Sequence, residues 1–416
     1  MSIFSRWLER IIPITRPSHE PTMITIDPVP RVEASVSALR SAKRIPELDG
    51  LRGLAILLVL IWHYGFDANS AEGHRWLFYL KDACSLFWSG VDLFFVLSGF
   101  LIGGILLDAR NSPNYFKTFY TRRVFRIIPI YTVVVGVFYL GLVAGIPGRL
   151  TGSAWLFGPT VPWYAYATFT QNIRYAIGEP ASPTWLGVTW SLAVEEQFYL
   201  ILPAVVWFVS RRRLPYVLGG AILTAPLLRL FLNLNYSHGN LAGFNLMPCR
   251  ADALLLGVVG ALVVRRQSIW ESLKNQRQGL LSAWIVLLAG LPVFILFKQT
   301  DSVLSFWMST VGFSWLALFY LGLLLLALLY SDGWLGRILR TSWLKALGTI
   351  SYGVYLIHWG VLGLIFAIFR SRSPWAETPA ERGLVLLALA FTIAIASLSW
   401  AIFEKPLLKI GHRMKY

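Results

Sequence analysis

Residues 89–107, SGVDLFFVLSGFLIGGILL, decide the fold class. A helix crosses a bilayer with roughly 20 apolar residues, and this run has that length with Asp92 as its only charge. Its small residues, Ser98, Gly99, Gly103 and Gly104, permit the close helix approach on which membrane packing depends. Outward from this run, now taken as 85–107, further apolar segments bounded by charges or by Gly, Pro and Asn clusters recur at 48–66, 127–146, 188–209, 214–231, 250–264, 279–297, 303–330, 346–369 and 383–403. The expectation is an all-α polytopic membrane protein of about ten transmembrane helices.

Composition agrees. The 416 residues are 56% hydrophobic and only 14% charged, with 18 tryptophans, whereas soluble domains are about a quarter charged. An ordinary cytosolic enzyme, a disordered chain and a collagen-like chain are excluded. Cys84 and Cys249 allow one bridge at most, too few for a disulfide framework or a cysteine-based zinc cluster, and no metal site is expected.

A formal charge of +16 could mean nucleic-acid binding, but its distribution says otherwise. With the N-terminus placed in the cytoplasm, 27 of the 37 Lys and Arg fall in cytoplasmic segments and 10 on the opposite side. This is the positive-inside pattern, and only an even number of spans leaves both basic ends in the cytoplasm. Residues 1–45 read as a cytoplasmic tail in which Ile3–Ile14 could lie on the membrane as a short amphipathic helix, or simply be loose chain. A transmembrane domain over 46–406 and a short cytoplasmic tail at 407–416 follow. Val161–Gln171 is aromatic but short, and reads as a re-entrant or interfacial segment on the outer side.

Ionisable residues inside spans are costly and therefore candidates for function. Arg52 and His63 lie eleven residues apart, which on a regular helix puts them within about 20° of one face and roughly 16 Å apart. Arg52 could equally be a snorkelling anchor at the cytoplasmic border. A buried, neutral His63 is what a general base near neutral pH must be. Asp92 sits at a similar depth and could pair with Arg250 or orient His63. Glu195 and Glu196 are adjacent carboxylates within an apolar helix, with Gln197 and Tyr199 adding donors to the same turn. In LGTISYGVYLIHWG (347–360), Ser351, Tyr355 and His358 recur on one face. By depth, His63, Asp92, Glu195, Glu196 and His358 could gather around one cavity. Towards the cytoplasm, Arg122, Arg123 and Arg126 cluster in YTRRVFRIIPIY (120–131). Arg123 and Arg126 share a helix face as a pair suited to phosphate oxygens, although basic residues at this border are also the ordinary topology signal.

In this order and spacing, IPELDGLRGLAILLVLIWH (45–63), FFVLSGFLIGG (94–104), RRVFRIIP (122–129), WSLAVEEQFYLILP (190–203), CRADALLLG (249–257), SYGVYLIHW (351–359) and FEKP (403–406) resemble the bacterial acyltransferase 3 family. These are integral membrane O-acyltransferases acting on surface polysaccharides, glycolipids and some secreted metabolites. The resemblance covers about residues 44–406 and rests on several independent motifs. It implies that His63 is the catalytic histidine and that the arginines handle an acyl-CoA donor, acetyl-CoA being the commonest, with no bound cofactor. Arg52, Arg122, Arg123, Arg126 and Ser98 are then expected on the donor side. Asp92, Glu195, Glu196 and His358 join His63 as catalytic candidates, and Tyr199, Trp190, Arg250 and Asp252 are placed on the acceptor side.

The implied location is the inner membrane, and the implied acceptor is a glycan or glycolipid hydroxyl. Some relatives carry an added extracytoplasmic hydrolase-like domain, so a separate periplasmic helper is a further expectation. Asp92 or Glu196 would hold the imidazole in its reactive tautomer, and His63 would act either as base or as transient acyl carrier. Trp155, Trp163, Tyr164, Tyr166 and Trp185 in the outer segment offer rings on which a sugar could stack, or serve only as an interfacial belt. The competing reading is a secondary transporter or flippase of a sugar or lipid-linked acceptor, for which buried acids and histidines would serve proton coupling. No inverted repeat supports it.

Overall fold

The computed structural model describes residues 45–68, 80–81, 84–158, 161–178, 184–296 and 304–416. The expected tail, with Ile3–Ile14, lies outside these residues apart from Ile45. Among the described residues there are ten helices long and apolar enough to cross a membrane and no strands. They are α1 (Pro46–Asp67), α2 (Phe87–Ala109), α3 (Tyr115–Val143), α4 (Trp185–Phe208), α5 (Leu214–Asn235), α6 (Gly239–Arg265), α7 (Arg277–Ile295), α8 (Met308–Leu329), α9 (Ser342–Arg370) and α10 (Pro379–His412). The chain is a multi-pass membrane protein.

Each expected span is found, but three are longer than hydropathy suggests. Helix α3 begins at Tyr115, so Arg122, Arg123 and Arg126 stand within a helix and not in a loop before it. Pro129 lies inside α3 without ending it, since buried helices can re-satisfy the freed carbonyl. Helix α6 reaches back to Gly239, and α10 runs on to His412. Among the described residues between α3 and α4 the helices are short turns, including Trp163–Ala167 and Gln171–Ala176, and none within 161–171 is long enough to cross a membrane.

Two glycine-lined contacts organise the bundle. A side chain at Gly99 or Gly257 would collide with the carbonyl of Leu254 or Val96, so α2 and α6 approach backbone to backbone. Gly348 lies likewise against the Asp49 carbonyl, and Gly50 against that of Leu339, which brings the start of α1 against the start of α9. In lipid, where apolar surface gains little by leaving one apolar phase for another, this close packing is what holds helices together. Helices α2 and α8 are the most enclosed, while no part of the apolar window of α7 is buried.

Polar ties mark one end of the bundle. Arg340 meets Glu47 at 2.8 Å, Arg265 meets Asp108 at 2.6 Å, and Arg110 donates to the Val209 carbonyl at 2.6 Å. Arg122 donates to the Met414 carbonyl at 2.6 Å at that same end. The segments counted as basic from sequence are therefore neighbours in space. At the other end Thr378 opens α10 in a capping box with Glu381, whose carboxylate also takes Arg372 at 2.6 Å.

Candidate active site

The ionisable residues surround two cavities. One, of about 260 Å³, lies at the basic end and is lined by Arg52, Arg123, Arg126, Ser98, Glu195, Tyr199 and His412 among others. The second, of about 650 Å³, lies towards the loops of the other end and is lined by His63, Trp62, Trp88, Trp190, Trp359, Arg250, His238 and Asn245 among others. Val91 and Tyr355 line both. The expectation of one cavity is corrected: His63 and Glu195 line different chambers, which adjoin at Val91 and Tyr355.

In the basic chamber, Tyr199 donates to Glu195 Oε2 at 3.2 Å and its hydroxyl is hydrogen-bonded to that of Ser98. Arg123 lies over the Tyr199 ring at 5.6 Å. Arg123 and Arg126 form no ion pair with a carboxylate among the described residues. With Arg52 they set three guanidinium groups against the one carboxylate, Glu195, that lines the same chamber, a net cationic lining that favours an anion. Two placements change. Tyr199, expected on the acceptor side, belongs to this chamber. Arg122, expected to bind donor, does not line it; its guanidinium is taken by the Met414 carbonyl and the Tyr416 ring. Glu196 lines neither chamber, and its Oε1 is buried without a hydrogen-bond partner.

His63 sits where α1 changes from α-helix to a π-helical stretch, Ile61–Asp67. Such wide turns redirect side chains and recur at functional sites. Its partner is a second histidine. His358 Nε2 lies 3.3 Å from His63 Nδ1, His63 Nδ1 is also 3.0 Å from the Val59 carbonyl, and His358 Nδ1 is 2.7 Å from the Tyr355 carbonyl. Carbonyl oxygens only accept, so the geometry assigns the proton of each neutral ring to Nδ1. His358 Nε2 is then an acceptor facing the His63 N–H, and His63 Nε2 keeps its lone pair. Tyr64 steadies the backbone here, donating to the His358 carbonyl at 2.7 Å.

Neither carboxylate proposed to orient His63, Asp92 or Glu196, is hydrogen-bonded to it. Asp92 is held by Arg250 Nη2 at 2.5 Å, fully buried. Asp252 is held by Arg229 at 2.9 Å and by Ser314 at 2.5 Å, and it lines neither chamber. Arg229 is fully engaged, since its remaining N–H groups reach the carbonyls of Thr310 and Cys249 and the Ser314 hydroxyl. Arg250 is not: its Nε and Nη1 lack partners, and it lines the outer chamber stacked 3.9 Å above Phe313. Tyr175 also lines that chamber, and burial beside the Tyr166 phenol pushes its pKa well up, so it is a neutral hydroxyl there.

The aromatic wall is not the one read from sequence. Trp163 and Tyr164 are exposed, while Tyr166 and Trp185 are buried in packing. Trp155 packs edge-on against Trp359 at 6.2 Å. The chamber uses Trp62, Trp88, Trp190 and Trp359 instead. Only Trp190 was singled out from sequence; the others stand in apolar spans, where nothing local distinguishes a cavity-lining ring from a core one.

The acyltransferase-domain family model, Acyl_transf_3, matches residues 45–404. The chain belongs to the acyltransferase 3 family. Among curated relatives, this member of the family is 29% identical over 391 residues to the peptidoglycan O-acetyltransferase OatA of Listeria monocytogenes, covering 89% of this chain and 57% of that one. It is 30% identical over 389 residues to the putative peptidoglycan O-acetyltransferase YrhL of Bacillus subtilis, covering 89% and 56%. A putative O-acetyltransferase of Staphylococcus aureus is 26% identical over 396 residues, at 89% and 58%. The chain thus spans less than three fifths of the length of these relatives. No solved structure matches it. The acyltransferase 3 motifs frame the two chambers: Arg52, Arg123, Arg126 and Ser98 on one, His63 and Arg250 on the other, and Tyr355 between.

Proposed function

We propose that this protein is a membrane O-acyltransferase that moves an acyl group from acyl-CoA to a hydroxyl of a cell-envelope glycan, glycolipid or exported metabolite. The observation that carries this reading is the pair of adjoining chambers, one cationic and one bearing an imidazole, which share Val91 and Tyr355. The basic end faces the cytoplasm of a cell whose inner membrane holds the protein, as the positive-inside distribution supports. Arg52, Arg123 and Arg126 hold the phosphates of the donor, and the pantetheine arm carries the thioester towards Val91 and Tyr355, where the chambers adjoin. Acetyl is the acyl group favoured by the relatives' names, and the tryptophan-lined chamber suits a sugar ring.

In the step itself the acceptor hydroxyl gives its proton to His63 Nε2 as its oxygen attacks the thioester carbonyl. The tetrahedral intermediate collapses with cleavage of the C–S bond, and the proton leaves His63 for the thiolate of CoA. His358 keeps the His63 proton on Nδ1, the part a carboxylate takes beside many base histidines. A carrier would use the same buried groups without consuming acyl-CoA, but the resemblance to named acetyltransferases favours the enzyme. The test is purified protein in nanodiscs with radiolabelled acetyl-CoA and envelope glycans. Wild type is expected to label the glycan, and His63→Ala, folded by size exclusion, is expected to label none. Full labelling by that variant would sink the proposal.

A further inference from the structure

The basic chamber has a lining residue that the reaction above leaves unused. His412, at the end of α10, stands there with Arg52, Arg123 and Arg126. What brings it there is a strap. Gly411 lies against the Phe125 side chain, where a Cβ would crowd the ring. Arg122 Nε and Nη2 donate to the Met414 carbonyl at 3.1 and 2.6 Å, and the guanidinium stacks 4.9 Å from the Tyr416 ring centre. Thr118 Oγ1 donates to the Lys415 carbonyl at 2.9 Å. Carbonyls past a helix end have no partner within the helix, and a guanidinium fork is well matched to them. Helix α3 therefore divides its polar residues: Thr118 and Arg122 hold the 411–416 segment, while Arg123 and Arg126 face the chamber.

We infer that His412 is a fourth donor-site ligand, giving an N–H to a phosphate oxygen of the acyl-CoA head, and that Arg122 is a positioning residue acting through it. This rests on the donor reading of the basic chamber. An imidazole facing three guanidinium groups is unfavourable company until a multiply charged anion enters, and the head of coenzyme A is such an anion. Arg122, which from sequence alone looks like a third phosphate ligand, instead sets the place of the fourth.

The test uses the full chain in nanodiscs, with CoA binding measured calorimetrically and acetyl-CoA kinetics at saturating acceptor. His412→Ala is expected to raise the acetyl-CoA KM about tenfold, the scale of one hydrogen bond to a charged group, with kcat within about twofold of wild type. His412→Lys, which restores an N–H donor at that place, is expected to return KM to within about threefold. Arg122→Ala is expected to raise KM similarly, and the double variant Arg122→Ala/His412→Ala to be no worse than either single one. An unchanged KM and CoA affinity in His412→Ala, or additive losses in the double variant, would overturn the inference while leaving the enzyme reading intact. Wild type that binds no CoA would overturn both.

Discussion

His63 and His358 form an unusual base pair because neither ring has a carboxylate on it. Each Nδ1 is tied to a helix carbonyl, so the pair is polarised by backbone dipoles and costs no buried charge at rest. The imidazolium formed during transfer would find an acceptor in His358 Nε2. His358→Phe is therefore expected to lower kcat by about 10- to 100-fold with the acetyl-CoA KM nearly unchanged, a split that steady-state kinetics resolves. The two buried arginines separate at the same scale. Arg229 is satisfied on every side, so Arg229→Met leaves Asp252 uncompensated and is expected to cost about 3 kcal/mol, read as a lower thermal midpoint in detergent. Arg250→Met likewise strips buried Asp92 of its ion-pair partner and is expected to lower that midpoint comparably, but also to raise the acceptor KM, because Arg250 keeps N–H groups unpartnered beside the outer chamber. An unchanged acceptor KM in Arg250→Met would place Arg250 among purely structural groups.

At the level of elements, the motif spacing is legible but its consequence is not. Eleven residues of regular helix put Arg52 and His63 on one face, whereas the π-helical stretch from Ile61 helps give the two residues different chambers. Hydropathy also started α3 and α6 too late and ended α10 too soon, because their polar turns are stabilised by tertiary partners that a sliding window does not see. The two residues that line both chambers, Val91 and Tyr355, belong to α2 and α9. Tyr355 is pinned there by its hydroxyl, 2.7 Å from that of Ser191 and 2.9 Å from the Val188 carbonyl. Val91→Trp is expected to fill the place where the chambers adjoin, abolishing acyl transfer while CoA binding in the basic chamber persists. Loss of both together would mean that the substitution damages the fold and not the passage.

For the molecule as a whole, the ion pairs and strap contacts that join Glu47, Asp108, Val209, Arg340 and Met414 to their partners gather the basic segments at one end. Single cysteines in a Cys84→Ser/Cys249→Ser background test the orientation. Labelling of intact cells with a membrane-impermeant maleimide is expected to reach Trp163→Cys and to miss Lys117→Cys and Lys409→Cys, which should react only after lysis. The reverse pattern would invert the topology and place the arginine chamber outside.

Sequence by itself determined the class of fold, the number of spans, the grouping of basic segments and the residue types that matter, because hydropathy, charge count and motif order are properties of the chain. It also brought forward His63, Arg123 and Arg126, since an ionisable residue in an apolar run stands out wherever the run goes. Only the tertiary structure decided that there are two chambers and not one, that Asp92 answers to Arg250, that His358 answers to His63, and that Arg122 holds a strap. Those pairings join residues more than a hundred positions apart. Each depends on how closely glycine-faced helices approach and where a helix widens, which is settled by packing and hydrogen-bond satisfaction across the bundle.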